Sequence, residues 1–154
     1  MAKPDFPPLL QPGMHNMTID ELHALAVAPF GGDVRRQELY QNLTRWCGAL
    51  QALGIAGTLW LDGSFLTEKP SPGDIDCVLW YPRWVNGLLN DTPALRQQVG
   101  NLLDKASAES IFGLDLYLEM PPPDGVFHQE AYWRGVLGFG HDRVTAKGFA
   151  EINL

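Results

Sequence analysis

Apolar residues recur every three or four positions between Leu39 and Leu53, and this spacing predicts the longest helix of the chain. Asp33 is a residue type that commonly caps a helix at its start, so the helix is expected to begin just after it. Gly54 is expected to end it, because glycine readily takes the left-handed conformation found after the last helical turn.

Two shorter helices are predicted from capping signals. Residues 18–21 read Thr-Ile-Asp-Glu, a capping-box pattern, and indicate a helix that reaches to about Ala28. Asp91 or Thr92 is expected to cap a further helix that has Pro93 in its first turn, where proline costs no hydrogen bond. Apolar positions at helical spacing follow each of these starts.

Three stretches are predicted as strands. Residues 58–61 and 75–81 are apolar almost throughout, and Pro82 is expected to end the second, which reads as a central strand. Residues 111–119 alternate, so their even-numbered apolar side chains point to one side and the odd-numbered ones, Asp115 among them, to the other.

The two ends of the chain give weaker patterns. Residues 1–17 contain several prolines and are expected to form an extended arm. Residues 127–133 suggest one or two helical turns, and residues 143–154 a final strand or hairpin. Because no linker or repeat interrupts the pattern, residues 1–154 are interpreted as one domain.

Composition narrows the classes of function. The net charge of −7 argues against an extended nucleic-acid surface, which is normally basic, but allows a small anionic substrate when a metal ion supplies positive charge. Cys47 and Cys77 stand apart from each other and from any His or Cys cluster, so both are expected to be buried reduced thiols rather than zinc ligands. No apolar run has membrane-spanning length, and a cytoplasmic, non-membrane protein is expected.

A small-residue turn and a pair of acids carry the candidate chemistry. Gly63 and Ser64 directly follow a predicted strand, where exposed backbone N–H groups and a hydroxyl suit a phosphate. Asp74 and Asp76, two positions apart at the start of the next strand, present their carboxylates to the same side. Two neighbouring carboxylates repel each other unless a cation lies between them, and Mg²⁺ prefers such oxygen ligands. A solvated strand start remains the alternative for this pair.

Asp115 is the third candidate acid. It stands between two leucines in a predicted strand, where an unpaired charge is costly. In two-metal phosphoryl transfer a third carboxylate would help to activate the attacking hydroxyl. The alternative is an ion pair with an arginine or lysine from the tail.

The block Gly63-Ser64, a loop of about ten residues and then Asp74-Ile75-Asp76 resembles the signature of the DNA polymerase beta-like nucleotidyltransferase superfamily. Asp115 matches the superfamily's third carboxylate. The resemblance covers residues 40 to 120 and implies an α/β (α+β) nucleotidyltransferase fold, with a small mixed sheet and helices mainly on one face. It also implies transfer of a nucleoside monophosphate from a nucleoside triphosphate to a hydroxyl with Mg²⁺, for which Mn²⁺ is a possible substitute.

A wider resemblance, over nearly the whole chain, is to a bacterial group of small nucleotidyltransferase-like proteins, and it implies no particular substrate. It rests on residues 12–15, the helix start at 18–21, residues 61–70 and Lys147-Gly148. Minimal members of the superfamily pair with a helical partner or act as antitoxins that nucleotidylate a toxin, so a protein partner or acceptor is implied. The alternatives are a non-catalytic antitoxin, immunity or regulatory module and a retained fold with an inactive site.

Two lysines complete the set of candidate substrate-binding residues. Lys69 lies in the loop between the turn and the acid pair, from which it could reach a triphosphate. Lys147, beside Gly148, could contact a phosphate or the acceptor. For both, an exposed lysine without such a role is the alternative.

Overall fold

The computed structural model describes residues 3–87 and 91–154. Over these residues the chain forms a five-stranded mixed sheet with helices on both sides. The strands are β1 (Gly13–Asn16), β2 (Ile55–Asp62), β3 (Ile75–Trp84), β4 (Leu114–Glu119) and β5 (Gly148–Asn153). The helices are α1 (Ile19–Ala26), α2 (Val34–Ala52), α3 (Pro93–Leu103), α4 (Lys105–Ser107) and α5 (Val126–Leu137).

The strands lie in the order β1-β5-β2-β3-β4. Strand β2 is antiparallel to both of its neighbours, β3 and β5, whereas the outer pairs β1–β5 and β3–β4 are parallel. Strands β2, β3 and β4 are therefore adjacent, and the ends that carry the predicted acids meet at one edge of the sheet.

The sheet separates two apolar layers of different size. The larger core lies on the face covered by α1 and α2 and takes the odd-numbered side chains of β2 and β3, such as Leu59, Leu61 and Cys77. The smaller cluster, on the opposite face, contains Trp60, Val78, Trp80, Phe149 and, from α5, Trp133 and Leu137. The predicted α/β class, with helices mainly on one face, is confirmed, and α5 is the helix that covers the other face.

The helix starts are confirmed in detail. Thr18 and Glu21 make both reciprocal bonds of the capping box at α1. Asp33 caps α2 by accepting from the Arg36 N–H, and Thr92 rather than Asp91 caps α3 by accepting from Leu95 N–H. The two cysteines are free and buried, as predicted.

Three predicted strands have wrong bounds. Strand β2 spans Ile55–Asp62 instead of residues 58–61, so it is longer at both ends. Strand β3 continues past Pro82 to Trp84, because the register shifts between Ala56 and Thr58 and leaves the proline without a cross-strand partner in the resulting bulge. Strand β4 begins at Leu114 rather than at residue 111, because residues 108–112 form a π-helical turn that ends at Gly113 in the left-handed conformation.

The ends of the chain are more ordered than their patterns predict. Part of the expected extended arm becomes β1, an edge strand parallel to β5, and residues 1 and 2 of that arm lie outside the described residues. The expected one or two helical turns near residue 127 extend to the full α5, and the tail supplies β5 as a single strand inside the sheet. In the part of the chain that is described, no helix has the length and apolar character needed to cross a membrane.

Candidate active site

Three aspartates lie side by side on three adjacent strands. Asp62, the last residue of β2, is the cross-strand partner of Asp76 on β3, and Asp76 is in turn the partner of Asp115 on β4. Because cross-strand partners point to the same face of a sheet, these side chains form a line, here called the acid row. The row lies on the face of the sheet that carries the smaller apolar cluster and α5.

Asp76 occupies the middle of the acid row and is the most crowded of the predicted acids. Burial, followed by the negative charges of Asp74 and Asp115, raises the pKa of Asp76 to about 6, although the charge of Lys147 opposes this rise. A hydrogen bond from the protonated Asp76 carboxyl to Asp115 acts in the same direction. Of the three predicted acids, the structure pairs Asp76 with Asp115 on adjacent strands, and Asp74, two residues before Asp76, is near enough for its charge to act on Asp76.

The predicted turn lies directly against these acids. Gly63 has a φ of +87°, which favours glycine, and a Cβ at this position would overlap the Asp76 carboxylate. Ser64 starts a single 3₁₀ turn that extends to Leu66. The absence of a side chain at Gly63 therefore lets the Asp76 carboxylate lie against the backbone of the turn, so the Gly63–Ser64 backbone adjoins the acid row.

Each outer carboxylate of the acid row is paired with a lysine. Lys147 Nζ lies 2.8 Å from Asp62 Oδ2, and Lys105 Nζ lies 2.5 Å from Asp115 Oδ1. Lys105 also lies over the ring of Tyr117, 3.6 Å from its centre. The alternative predicted for Asp115, an ion pair, is present, although its partner precedes the strand instead of coming from the tail.

The predicted substrate lysines have different surroundings. Lys147 reaches the acid row through Asp62. Lys69 contributes its backbone to the loop, since its N–H donates to Thr67 Oγ1 and its carbonyl accepts from Arg36. Over residues 3–87 and 91–154 the Lys69 ammonium makes no ion pair, so the structure does not join it to the acids.

Asp62 was not predicted as a site residue. It is 3% exposed, and burial raises its pKa to about 7 although the charge and hydrogen bond of Lys147 oppose this rise. Its Oδ1 atom is buried and has no hydrogen-bond partner among the described residues. The predicted strand ends at residue 61 and leaves Asp62 out. The signal for Asp62 is its position two residues after Trp60, which puts both side chains on one face of a strand that continues to residue 62.

Arg36 is a second residue that sequence reasoning missed. Its side chain is fully buried and donates to the carbonyl oxygens of Ala26, Phe65, Thr67 and Lys69 at 2.5–3.0 Å. Three of these carbonyls belong to the loop that follows the glycine turn. The guanidinium therefore fixes that loop, and with it the position of the turn against the acid row.

The carboxylate oxygens of the acid row are the type of ligand that a hard divalent cation prefers, but their positions in this structure do not form a metal site. Within the described ranges, no three His, Cys, Asp or Glu side chains stand close enough together to hold a metal as they are placed. Lys105 and Lys147 hold the outer carboxylates, so side-chain rotation would have to precede shared coordination. The donors are crowded carboxylate oxygens, one of which is buried and has no hydrogen-bond partner within the described ranges. Such oxygens suit Mg²⁺ or Mn²⁺.

The fold and the site define a small α/β protein with an acidic sheet edge beside a glycine turn. The chain belongs to the Family of unknown function (DUF6932), whose model matches residues 4–153. The match includes every strand and helix described above. No curated protein and no solved structure matches the chain.

Proposed function

We propose that this protein is a Mg²⁺-dependent nucleotidyltransferase, which moves a nucleoside monophosphate from a nucleoside triphosphate to a hydroxyl acceptor. The observation that carries this proposal is the meeting of Asp74, Asp76 and Asp115 beside the Gly63–Ser64 turn. Crowded carboxylates next to the backbone of a partly exposed glycine turn form a site that accepts a cation and a phosphate together.

Each residue has a defined role in the proposed reaction. Asp74 and Asp76 hold the divalent cation, which supplies positive charge to the triphosphate and the leaving pyrophosphate. Asp115 helps to hold the cation and takes the proton of the acceptor hydroxyl. The hydroxyl oxygen then bonds to the α-phosphorus, and the bond between the α-phosphorus and the leaving pyrophosphate breaks. The backbone and hydroxyl of Gly63 and Ser64 bind the β- and γ-phosphates.

Two lysines would assist the substrate. Lys147 adds fixed positive charge beside the acid row, and Lys69 lies in the loop that Arg36 holds after the turn. With a net charge of −7 the surface favours a protein or small-molecule hydroxyl as acceptor over a long nucleic acid, although a short RNA end is compatible with it. A triphosphate substrate agrees with the cytoplasmic location that the sequence predicts.

The test is the double variant Asp74→Asn with Asp76→Asn. Each of the four nucleoside triphosphates, labelled at the α-phosphate, is incubated with the full chain, Mg²⁺ and protein, RNA or small-molecule acceptors, and transfer of label and pyrophosphate release are measured. The double variant should lose both activities while keeping a native circular dichroism spectrum. Asp20→Asn with Asp124→Asn removes the same charge at other positions and should keep them. Full activity in the Asp74/Asp76 variant would overturn the assignment.

A second candidate function is supported by the lysine pairs. Because Lys105 and Lys147 already neutralise two carboxylates of the acid row, the fold could bind a nucleotide or a partner protein without turnover, as an antitoxin, immunity or regulatory module. Calorimetry distinguishes the two functions. Triphosphate binding that requires the divalent cation and leads to pyrophosphate release supports the enzyme, whereas binding that is unchanged by loss of Asp74 and Asp76 supports the module.

A further inference from the structure

Asp62 extends the proposed site to four carboxylates. It lies on the same sheet face as Asp76 and directly opposite it. The negative charge of Asp76 is one of the causes that raise the pKa of Asp62, after burial, since the two carboxylates repel each other. One oxygen of Asp62 bonds to Lys147, while the other is buried without a partner among the described residues. An unpartnered carboxylate oxygen beside further carboxylates is an arrangement that attracts a cation.

The backbone around Lys147 is held from several directions. Its own N–H donates to the carbonyl of Gly138 at 2.8 Å, at the end of α5. The next residue, Gly148, packs so closely against the Gln11 carbonyl that a Cβ would not fit, and it begins β5 beside β2. The Lys147 side chain is only 15% exposed, so its ammonium is a fixed charge of the site rather than a mobile surface group.

The charges of the site favour one cation over two. Asp62, Asp74, Asp76 and Asp115 carry four negative charges when ionised, and the ammonium groups of Lys105 and Lys147 carry two positive charges. The remaining two negative charges match a single divalent ion. A second divalent ion would have to approach Asp62 where the Lys147 ammonium already lies, and the two positive charges would repel each other at short range.

We propose, as an extension of the proposed nucleotidyltransferase function, that the candidate active site binds a single divalent cation, which lies among Asp74, Asp76 and Asp115. The Lys147 ammonium takes the place beside Asp62 that a second cation would otherwise occupy. Lys147 thereby supplies part of the positive charge that a pair of metal ions would supply to a triphosphate. Asp62 is a positioning residue, which holds this ammonium at the acid row.

The experiment counts Mn²⁺ ions bound per full-length chain without nucleotide, by calorimetry and by the electron paramagnetic resonance signal of free Mn²⁺. It is performed at about pH 8, where Asp62 and Asp76 are both ionised. The wild-type chain should bind one ion. Lys147→Met should bind two, because the Asp62 carboxylate, opposite Asp76, then has no ammonium beside it.

Two control variants decide the cause of such a change. Asp62→Asn combined with Lys147→Met removes both charges of the pair and should return the count to one ion, and it also serves if the single Lys147 variant fails to fold. Arg83→Met removes a positive charge at the opposite end of β3, where Arg83 pairs with Ala56, and should leave the count at one.

Each outcome decides the proposal. Two ions on the wild-type chain, or one ion on a folded Lys147→Met variant, overturns the inference about Lys147 and leaves the proposed transfer reaction standing. If the wild-type chain binds no Mn²⁺ in the presence or absence of a non-hydrolysable triphosphate, the metal-dependent function itself is overturned together with the inference.

Discussion

Asp62 and Asp76 face each other across the antiparallel pair β2–β3, and Lys147 lies 2.8 Å from Asp62. The same ammonium also lowers the pKa of Asp76, where it opposes burial and the charges of Asp74 and Asp115. One lysine therefore acts on two strands of the acid row. The electrostatics of the site follow from this arrangement, and they lead to predictions that can be measured without knowing the acceptor.

Stability should depend on pH in a direction set by Asp76. Its pKa is about 6 in the folded protein and near 3.8 when unperturbed, so the folded state binds this proton more tightly than the unfolded state. The resulting stabilisation is fully present below about pH 4 and is lost as the pH rises through about 6. In metal-free buffer the free energy of unfolding should therefore fall between about pH 4 and about pH 7, by on the order of 1–3 kcal/mol from this group.

Chemical denaturation of wild-type protein and of Asp76→Asn, across this pH range and with a chelator present, measures the effect. The variant should show a flatter profile, because it removes the group that titrates. Added Mn²⁺ should stabilise the wild-type protein more at about pH 8 than at about pH 5, since ionised carboxylates bind the cation. Equal slopes for the two proteins would show that Asp76 is not held in the environment described here.

Gly63→Ala should damage the site more than its size suggests. The new Cβ would overlap the Asp76 carboxylate, and the φ of +87° is unfavourable for alanine. A loss of about 1–3 kcal/mol in the free energy of unfolding is expected, together with weaker Mn²⁺ binding because Asp76 must move. Calorimetry and urea denaturation provide the two readouts.

Gly73→Ala is the matched control for this substitution. A Cβ at Gly73 meets nothing within 4 Å, and Gly73 lies in the same connection between β2 and β3. It should change stability by less than about 0.5 kcal/mol and leave Mn²⁺ affinity unchanged. If both alanine variants behave alike, the close contact between Gly63 and Asp76 has no energetic importance.

Arg36→Met should destabilise the whole domain. It leaves the carbonyls of Phe65, Thr67 and Lys69 without their buried donor, and a loss of about 3–5 kcal/mol is expected. Arg45→Met, on the same helix but with an exposed side chain bonded to Asn42, should cost less than about 1 kcal/mol. Thermal and urea unfolding of the two variants give the comparison, and similar losses would contradict the role of Arg36 in holding the loop.

Local patterns predict those parts of the site that depend on strand periodicity. Strand periodicity places Asp76 on one face of β3, and the alternation of β4 places Asp115 on the face opposite its leucines. Asp74, predicted on the same strand, precedes the first residue of β3. Asp76 and Asp115 lie on the same face of the sheet because β3 and β4 pair in parallel with these two residues opposite each other, and the sequence does not show this pairing.

The missed residues depend on contacts that are distant in sequence. The predicted strand stops before Asp62, because Asp-Gly-Ser is a common turn sequence, and only the pairing of Asp62 with Asp76 extends β2 by that residue. Arg36 lies on α2 in an amphipathic pattern like that of a surface arginine. Its burial arises because the loop after the glycine turn folds back over it, and no local signal encodes that contact.

Lys105→Met should change the affinity for the cation but not the number of cations bound. Lys105 pairs with Asp115 across a partly exposed contact, with 52% of its side chain accessible, so it can move aside when a cation approaches. Burial lowers the pKa of Lys105, but the hydrogen bonds and charges of Asp115 and Tyr117 together raise it above its ordinary value. Removing this competing charge should tighten Mn²⁺ binding roughly tenfold in low salt.

The dependence of Mn²⁺ binding on salt should differ between the variants of Lys105 and Lys147, because the Lys147 side chain is much less exposed. Because solvent and ions reach Lys105, the gain in affinity for Lys105→Met should shrink when the ionic strength rises from about 0.05 M to about 0.5 M. The extra ion expected for Lys147→Met should persist, since the Asp62 side chain that would receive it is 4% exposed. Lys3→Met, in the exposed arm, should alter neither quantity. Weaker Mn²⁺ binding by Lys105→Met would instead mean that this lysine orients Asp115 for the cation, and its role would change from competitor to support.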